Sequence, residues 1–185
     1  MIGYLAGKIK SKETDSLIVK VGGVGYQIFT PLFTWQNCQI NDEKEFFVYT
    51  HVRENEISLF GFLSLADKQL FIDLISVSGV GPRIAMNIIS YSRGSSGIIR
   101  AIQEADVEFF TSIKGLGKKS SQRIIVDLKS KLGGLKELVF EADQDQDLLA
   151  ALKGLGFSRE EIKKAVKGIK KDLPLEKKIR LALKN

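Results

Sequence analysis

Two short stretches of the sequence repeat one pattern that could bind an anion. A Gly-hydrophobic-Gly turn stands at 79–81 and again at 115–117, each time between two segments with helical periodicity. Glycine adopts positive φ without strain and lets a ligand approach the backbone closely. The amide groups that begin the following helix have no partner inside it, so they can bind such a ligand. We therefore predict that each turn binds a phosphate group, while its middle residue, Val80 or Leu116, folds inward between the helices.

Basic residues follow both turns and strengthen this prediction. Arg83 follows the first turn, and Lys118, Lys119 and Arg123 follow the second. Their side chains can add charge-assisted hydrogen bonds to a phosphate, and Pro82 fits the first position of a helix because no donor is needed there. The predicted phosphate-binding set is Ser78, Gly79, Val80, Gly81, Pro82, Arg83, Gly115, Leu116, Gly117, Lys118, Lys119 and Arg123.

One such turn alone would more often be an ordinary glycine-terminated helix end, but two copies followed by basic residues favour a polyanion. Contacts of this kind hold the backbone of a nucleic acid without reading its sequence, so binding should be structure-selective and salt-sensitive.

Two sharper phosphate motifs are excluded. A Walker A loop would need Gly at 112 and Ser or Thr at 119, where Ser112 and Lys119 stand. The segment GGVGYQ at 22–27 lacks the third glycine of a dinucleotide fingerprint.

Length and composition indicate a globular chain of two or three small domains. The 185 residues are 44% hydrophobic and 27% charged, with a formal net charge of +6, which is compatible with a polyanionic partner. The single cysteine, Cys38, and the single histidine, His51, offer no pair for a disulfide or a metal site, so neither a metal nor another cofactor is expected. The N-terminus has no apolar signal region, and no run approaches the roughly 18 apolar residues of a membrane span. A cytoplasmic protein without a membrane partner is therefore predicted.

Residues 1–62 are predicted to form a five-stranded barrel. Five short runs rich in Ile, Val, Phe and Tyr are separated by polar or glycine turns, and the glycines at 22 and 23 indicate a tight hairpin. This pattern predicts a small, partly open barrel of the OB type, although an SH3-like barrel would look much the same.

From residue 63 the hydrophobic period changes to that of helices. Residues 63–133 carry five apolar faces at helical spacing and are predicted to form an all-α, tandem helix-hairpin-helix domain. The second half of residues 134–146 is acidic and poor in apolar residues, so this segment is predicted to be a flexible linker. Residues 147–185 carry three more apolar faces, which predict a minimal three-helix, UBA-like bundle. The predicted fold class is thus multidomain α+β.

A third Gly-Leu-Gly sequence, at 154–156, is predicted to work differently. Phe157 stands where the other copies have Pro or Lys, and Glu160 and Glu161 follow at the start of the next helix. These carboxylates favour the helix dipole but would repel a phosphate from the same place. We interpret the third turn as a protein-docking loop.

The motifs together resemble one protein family. The segments MIGYLAGKI, VGGVGY and THVRENEISLFGF, with the paired SGVGPR and KGLGKK, resemble the RuvA family of bacterial Holliday-junction branch-migration proteins, most specifically in the first two predicted domains. The resemblance implies a homotetramer, or an octamer, that binds four-way junction DNA in recombination, repair and the SOS response. It also implies recruitment of the hexameric RuvB ATPase, with the RuvC resolvase as a further partner, and no catalysis by the chain itself.

The resemblance also assigns roles to residues, beginning with a DNA-binding role for both glycine turns. The family's acidic pin, usually Glu-Asp after an Arg, corresponds to Glu54, Asn55 and Glu56 after Arg53, so only the first acid matches. Carboxylates at the crossover would repel phosphates; without the family, this segment would be interpreted as a solvated hairpin turn. The surface for the motor would comprise Leu152, Leu155, Phe157 and Leu183. In so small a bundle, at least two of these four are expected to belong to the core.

Two other classes of protein stay open at this point. A helix-hairpin-helix glycosylase or nuclease would need a catalytic Lys or Asp in a pocket, or clustered carboxylates, and the acids here are scattered along the sequence. A single-strand binder would present stacking aromatics on the barrel. The candidates for that role are Tyr26, Phe29, Phe47 and Tyr49, although a barrel core needs a similar number.

Overall fold

The structure is a computed structural model, and it describes residues 1–132, 146–166, 169 and 173–183, apart from the side chains at 146 and 159. The chain divides into two compact units, residues 1–138 and 139–185. The linker predicted at 134–146 lies outside the described residues except for its last position, which begins a helix. The first unit holds both the strands and the first set of helices, so the domain boundary at residue 62 stays a prediction of the sequence.

The first unit begins with a five-stranded closed barrel. Its strands are β1 (Tyr4–Lys12), β2 (Ser16–Val21), β3 (Val24–Phe29), β4 (Glu43–Arg53) and β5 (Glu56–Phe62). They are hydrogen-bonded in the order β1-β2-β3-β5-β4, and β1 closes the barrel by pairing antiparallel with both β2 and β4. The parallel pairing of β3 with β5 belongs to a Greek-key barrel of the OB type, since consecutive hairpins alone would give no parallel pair. The predicted fold is confirmed, except that the barrel is closed and not partly open.

Apolar residues at alternating strand positions fill the barrel. The core consists of Leu5, Ile9, Leu17, Val19, Ile28, Cys38, Phe46, Val48 and Leu59. Burial raises the pKa of the Cys38 thiol, which keeps this side chain protonated and unreactive. Gly7 is required where β1 lies against β2, because a Cβ there would overlap the carbonyl oxygen of Lys20.

A short helix that the sequence pattern did not indicate connects β3 to β4. This helix, α1 (Leu32–Asn37), follows Pro31 and carries the only tryptophan of the chain, Trp35, against the barrel core. The Trp35 indole N–H donates to the Glu13 carbonyl at 2.8 Å, and the Lys12 ammonium lies 4.0 Å from the ring centroid. A helix of 6 residues is too short to show a clear period in the sequence.

Five helices follow the barrel in the described part of the first unit, as predicted. They are α2 (Leu65–Ile75), α3 (Pro82–Ser92), α4 (Ser95–Gln103), α5 (Val107–Thr111) and α6 (Lys118–Lys129). Each of them buries apolar side chains, as the helical spacing predicts. The repeated glycine turns connect α2 to α3 and α5 to α6, so that each turn belongs to one helical hairpin.

Phe71 on α2 joins the helices to the barrel. Its side chain is fully buried, and its ring centroid lies 4.9 Å from that of Phe60, 5.1 Å from that of Phe62 and 5.6 Å from that of Tyr49. These three residues lie on β4 and β5, so α2 packs against both strands directly before the first glycine turn. Aromatic side chains bury a large apolar area in such clusters, and this one positions the helical hairpins relative to the barrel.

The second unit is a small helical bundle. Its described helices are α7 (Gln146–Gly154), α8 (Arg159–Ala165) and α9 (Leu175–Ala182). Their shared core consists of Leu148, Leu149, Leu152, Ile162, Ala165, Val166 and Ala182. The predicted three-helix fold is confirmed. In the described parts of both units, no helix is long and apolar enough to cross a membrane.

Truncation of Phe71 should strongly destabilise the first unit. Phe71→Ala removes the ring that contacts three aromatic neighbours, and a cavity of this kind costs about 3 to 5 kcal/mol. Trp35 fluorescence reports unfolding of the barrel in a denaturant titration. Val126→Ala, at a side chain on α6 that is 71% exposed, is the control and should change the free energy of unfolding by less than about 0.5 kcal/mol. Equal stability of the two variants would show that the Phe71 cluster does not hold the unit together.

Candidate nucleic-acid interface

The two repeated glycine turns have the same backbone geometry. We name them turn 1 (residues 77–81) and turn 2 (residues 113–117). Gly79 and Gly115, the first glycine of each, have φ of +89° and +96°, a conformation that strains any other residue. In each turn the amide of the middle residue donates to the carbonyl three residues earlier, at 3.0 Å in turn 1 and 3.1 Å in turn 2. The repeat in the sequence is thus also a repeat in the structure.

The middle residue of each turn is buried, as predicted. Val80 and Leu116 are 4% and 8% exposed, so their side chains anchor the turns in the helical core. The positive φ of the preceding glycine and this anchor together define the conformation of the turn without any ligand. A bound anion would therefore meet a preformed site and would not have to order the backbone.

The second glycine of each turn is not required by the fold itself. Gly81 and Gly117 precede α3 and α6 with φ of −87° and −97°, values that any residue adopts. A Cβ at either position would meet no described atom within 4 Å. No described side chain caps the start of α3 or α6, so the first amides of α6 stay available, as do those that follow Pro82 in α3. Open space lies in front of these amides, where a phosphate oxygen could reach them.

Exposed cations flank both turns. Arg83, Lys118 and Lys119 are exposed in the first turn of α3 or α6, where the positive end of the helix dipole adds to their charge. Lys114, directly before the first glycine of turn 2, is exposed as well. The sequence prediction missed Lys114, although Ser78 was included at the same position of turn 1. The signal that could have found it is this equivalence between the two turns.

The fold brings the two turns together. The Arg123 guanidinium on α6 donates through Nη1 to the Ser78 carbonyl beside turn 1, at 3.4 Å. A Cβ on Gly115 would lie 3.9 Å from Cγ1 of Ile84 on α3. The two turns therefore lie close together, and their exposed residues can be treated as one surface. We call it the paired-turn surface (residues 78–84 and 114–119).

The predicted acidic pin lies at the tip of the β4–β5 hairpin. Arg53 pairs with Glu56 across the two strands, and Glu54 and Asn55 form the two-residue turn between them. All four residues are exposed. The Glu56 carboxylate accepts a hydrogen bond from the Ser58 hydroxyl, so it is bound to its own strand. Glu54, the acid that matches the family pattern, is the one at the tip.

The third Gly-Leu-Gly sequence forms a different turn. Here the second glycine, Gly156, has the positive φ, at +87°. Its amide donates to the Lys153 carbonyl at 3.0 Å, and the Phe157 amide donates to the Leu152 carbonyl at 3.1 Å. This pair of hydrogen bonds is a Schellman motif, which ends α7. In turns 1 and 2 the first glycine has the positive φ and the second precedes a helix, so the third copy uses its glycines in another register.

The helix after the third turn is capped, unlike α3 and α6. The Ser158 hydroxyl accepts from Glu161 N at 3.4 Å, while the Glu161 carboxylate accepts from Ser158 N at 2.8 Å, and together they form a capping box. Hydrogen bonds from the Ser158 hydroxyl and amide hold the pKa of Glu161 below its usual range. This carboxylate already occupies the positive end of the helix dipole. A phosphate at the start of α8 would therefore be repelled by a carboxylate that already accepts the Ser158 amide.

The four apolar residues predicted as a docking surface differ in exposure. Leu155 and Leu183 are 57% and 54% exposed, and Phe157 is half-buried against the core of the second unit. Leu152 is fully buried, because it lies on the face of α7 that packs against α8 and α9. Leu152 is therefore corrected from a docking residue to a core residue. At least two of the four were expected in the core, and the structure buries Leu152 fully and Phe157 in part.

The barrel aromatics considered as a stacking platform are engaged within the fold. Phe29 packs against Phe60 and Tyr49 packs against Phe71, each with 5.6 Å between the ring centroids. Phe47 lies against Tyr4, with 6.1 Å between the centroids, and Tyr26 packs against the barrel core. Rings committed to neighbours in this way do not form an open row on which bases stack. Within the ranges that the structure describes, no three His, Cys, Asp or Glu side chains are grouped as metal ligands.

An OB-type barrel joined to two helix-hairpin-helix turns with uncapped helix starts defines a class of nucleic-acid-binding proteins that contact the phosphate backbone. Comparisons with known proteins narrow this class. Family models match residues 1–61 as the RuvA N terminal domain, residues 71–130 as a SAM-like helix-hairpin-helix tandem and residues 143–185 as the RuvA C-terminal domain.

Whole-length relatives agree with these matches. The chain is 36% identical over 194 residues to the Holliday junction branch migration complex subunit RuvA of Syntrophotalea carbinolica, with 100% of this chain and 98% of that protein covered. It is 38% identical over 198 residues to the protein of the same name from Oceanobacillus iheyensis, with 99% and 98% covered. The chain belongs to the RuvA family of Holliday junction branch migration complex subunits.

The two glycines of each turn should respond differently to alanine. Gly79→Ala and Gly115→Ala place a Cβ at positive φ and should lower the free energy of unfolding by about 1 to 2 kcal/mol. Gly81→Ala and Gly117→Ala keep an ordinary φ in open space. Their weaker helix capping is offset by the lower entropy of the unfolded chain, so the change should stay within about 0.5 kcal/mol. Denaturant titration of the four variants tests this, and equal losses at both positions would contradict the geometry of the turns.

Proposed function

We propose that this chain binds four-way DNA junctions through their phosphate backbones and recruits a RuvB-type ATPase motor for branch migration. The observation that carries the proposal is the paired-turn surface, where two uncapped helix starts adjoin each other among exposed cations. The relatives are named as subunits of a Holliday junction branch migration complex. Their name supports a junction as the DNA and a second protein as the source of movement.

In this proposal both turns hold phosphates of a duplex arm. The amides that begin α3 and α6 bind phosphate oxygens, and the glycines before them let the DNA backbone approach. Arg83 and the lysines of turn 2 add charge-assisted hydrogen bonds. Because no base edge is involved, the shape of the DNA and not its sequence is recognised. The proposed contacts are Ser78, Gly79, Val80, Gly81, Pro82, Arg83, Lys114, Gly115, Leu116, Gly117, Lys118 and Lys119.

Glu54 at the hairpin tip is proposed to face the crossover of the junction. Its carboxylate would repel the phosphates there and keep the exchanging strands apart. Asn55 adds no charge to the tip, and Glu56 is bound to Ser58. Each copy of the chain therefore supplies one acid at the tip, and the repulsion is weaker than that of two adjacent acids.

A four-way junction has four similar arms, which fits a homotetramer with rotational symmetry. We propose that four copies bind one face of the junction and that a second tetramer can complete an octamer on the other face. The chain itself performs no catalytic step in this proposal, because the motor supplies the work of migration. The RuvC resolvase is a further proposed partner, since it acts on the same DNA, and the proposed location is the cytoplasm.

The second unit is proposed to bind the motor. Leu155 and Leu183 present exposed apolar side chains, and Phe157 lies half-buried between surface and core. The carboxylate of the capping box at the start of α8 would repel a phosphate from that place. A protein partner therefore fits this loop better than DNA does.

Removal of two cations at turn 2 should weaken junction binding and reduce its salt dependence. The logarithm of the association constant K decreases as the logarithm of the salt concentration increases. For Lys118→Ala with Lys119→Ala, the magnitude of this slope should decrease by about 2, roughly one for each lost phosphate contact. The measurement is the Kd for a labelled four-way junction at several salt concentrations, with duplex and single strand as competitors. Lys8→Ala with Lys10→Ala removes two exposed cations from β1 and is the charge-matched control, with an unchanged slope expected.

Two results of the same titrations would contradict the proposal. Equal affinity for junction and duplex would exclude selective junction recognition. Strand cleavage or base release in the presence of magnesium would indicate a helix-hairpin-helix enzyme instead.

A carboxylate at position 155 should separate DNA binding from motor recruitment. Leu155→Asp charges the exposed apolar surface of the second unit and should lower stimulation of a RuvB ATPase on junction DNA at least about tenfold, as expected for a central interface residue. The Kd for the junction should stay unchanged. Lys153→Glu adds a carboxylate at another exposed position of α7 and should leave both quantities near their original values. A loss of junction affinity in Leu155→Asp would mean that the second unit contacts DNA.

A further inference from the structure

Helix α6 is tied to the first hairpin at two separate places. In its second turn, Arg123 donates to the Ser78 carbonyl at 3.4 Å. Just beyond its end, the Lys131 ammonium lies 3.4 Å from Oδ1 of Asp73 and donates to the Ser76 hydroxyl at 2.9 Å. Asp73, Ser76 and Ser78 all belong to the chain segment that leads from α2 through turn 1. Since α6 begins at turn 2, one helix connects both turns.

The tie at Lys131 is built into a partly buried network. Asp73 is 7% exposed, and its carboxylate also accepts from Gln69 Nε2 at 3.3 Å. The Ser76 hydroxyl that accepts from Lys131 donates in turn to the Asp73 carbonyl at 2.6 Å. A carboxylate removed from water needs a cation and hydrogen bonds in defined places. Lys131 is itself exposed, but its ammonium has two defined partners, the Asp73 carboxylate and the Ser76 hydroxyl, whereas a typical exposed lysine pairs only weakly with a neighbour.

Arg123 contacts protein at the place where the sequence analysis predicted a phosphate contact. Its acceptor, the Ser78 carbonyl, is part of the backbone beside turn 1. The planar guanidinium presents several donors in fixed directions, so one of them can hold this carbonyl. One tie comes from α6 and the other from the residues just beyond its end. Both act on the same segment, and two points of attachment prevent a rotation that a single one would allow.

We propose that Arg123 and Lys131 are positioning residues that hold turn 1 and turn 2 in one fixed relative orientation, so that both turns engage DNA together. The proposal rests on phosphate binding by the two turns. When two weak contacts are held at the right separation, the second forms at a high effective concentration once the first has formed. Loosening the ties would reduce this advantage without removing any contact with a phosphate.

The salt dependence of binding distinguishes a positioning residue from a phosphate contact. Loss of a cation that contacts a phosphate makes the slope of log K against log salt concentration shallower, by about one in magnitude. Loss of a positioning residue lowers the affinity at every salt concentration and leaves the slope unchanged. Lys119→Met serves as the reference for the first behaviour.

The experiment measures the Kd of the full chain for a four-way junction at several salt concentrations, well below the unfolding temperature of each variant. Arg123→Met and Lys131→Met should each weaken binding about three- to thirtyfold with the slope of the parent protein. Lys129→Met removes the same charge from an exposed site two residues before Lys131 and should have no effect. Lys131→Arg keeps a cation for Asp73 and should restore the affinity.

Lys131→Met leaves the Asp73 carboxylate without its cation and could prevent folding. The double variant Asp73→Leu with Lys131→Met removes the tie without leaving a buried charge, and it should show the same loss of affinity at unchanged slope. Parental affinity in Arg123→Met and in the double variant would overturn the proposal. A salt slope that is shallower by about one in Arg123→Met would identify Arg123 as a phosphate contact and overturn its positioning role. Lys119→Met tests phosphate binding by the turns separately. Phosphate binding is contradicted only if Lys119→Met binds the junction with the affinity and the salt slope of the parent protein.

Discussion

The packing of Phe71 against Phe60, Phe62 and Tyr49 is the contact on which the arrangement of the first unit depends. It fastens α2 to two strands of the barrel, and α2 leads directly into turn 1. Turn 1 in turn contacts α6, the helix that begins at turn 2. The barrel, the hairpin tip with Glu54 and both glycine turns are thereby positioned by one continuous set of contacts. In the proposed complex, such a scaffold would let attraction at the turns and repulsion at the tip act on one DNA molecule.

The two glycines of each turn serve different physical needs. The first has a positive φ, which the fold demands, whereas the second has an ordinary φ and faces open space. The fold would accept a side chain at the second glycine. The glycine at this position is therefore best explained by a ligand that approaches the backbone from outside. In the proposed complex this is the phosphate backbone, whose oxygens approach the amides at the start of α3 and α6.

The third Gly-Leu-Gly sequence shows how a small change at a helix start alters the chemistry of a turn. The capping box of Ser158 and Glu161 engages two amides and places a carboxylate at the positive end of the helix, whereas the helices after turns 1 and 2 have no acidic residue in their first turn. The middle residue changes at the same time from buried to exposed, since Leu155 is 57% accessible where Val80 is 4%. Capped amides and an exposed leucine suit a protein partner, while uncapped amides and a buried anchor suit an anion.

The sequence by itself determined the kinds of element and predicted which residues bind phosphate. Strand and helix periods, the repeated glycines and the basic residues after them are local properties, and local properties can be read from neighbouring residues. It did not indicate α1, the closure of the barrel, the burial of Leu152 or the place of Lys114. Only the tertiary structure brought Arg123 to Ser78 and Lys131 to Asp73, because these pairs are distant in sequence and meet only when α2 and α6 have packed. Local pattern thus determined the conformation of each turn, and long-range packing decided that the two turns lie close together.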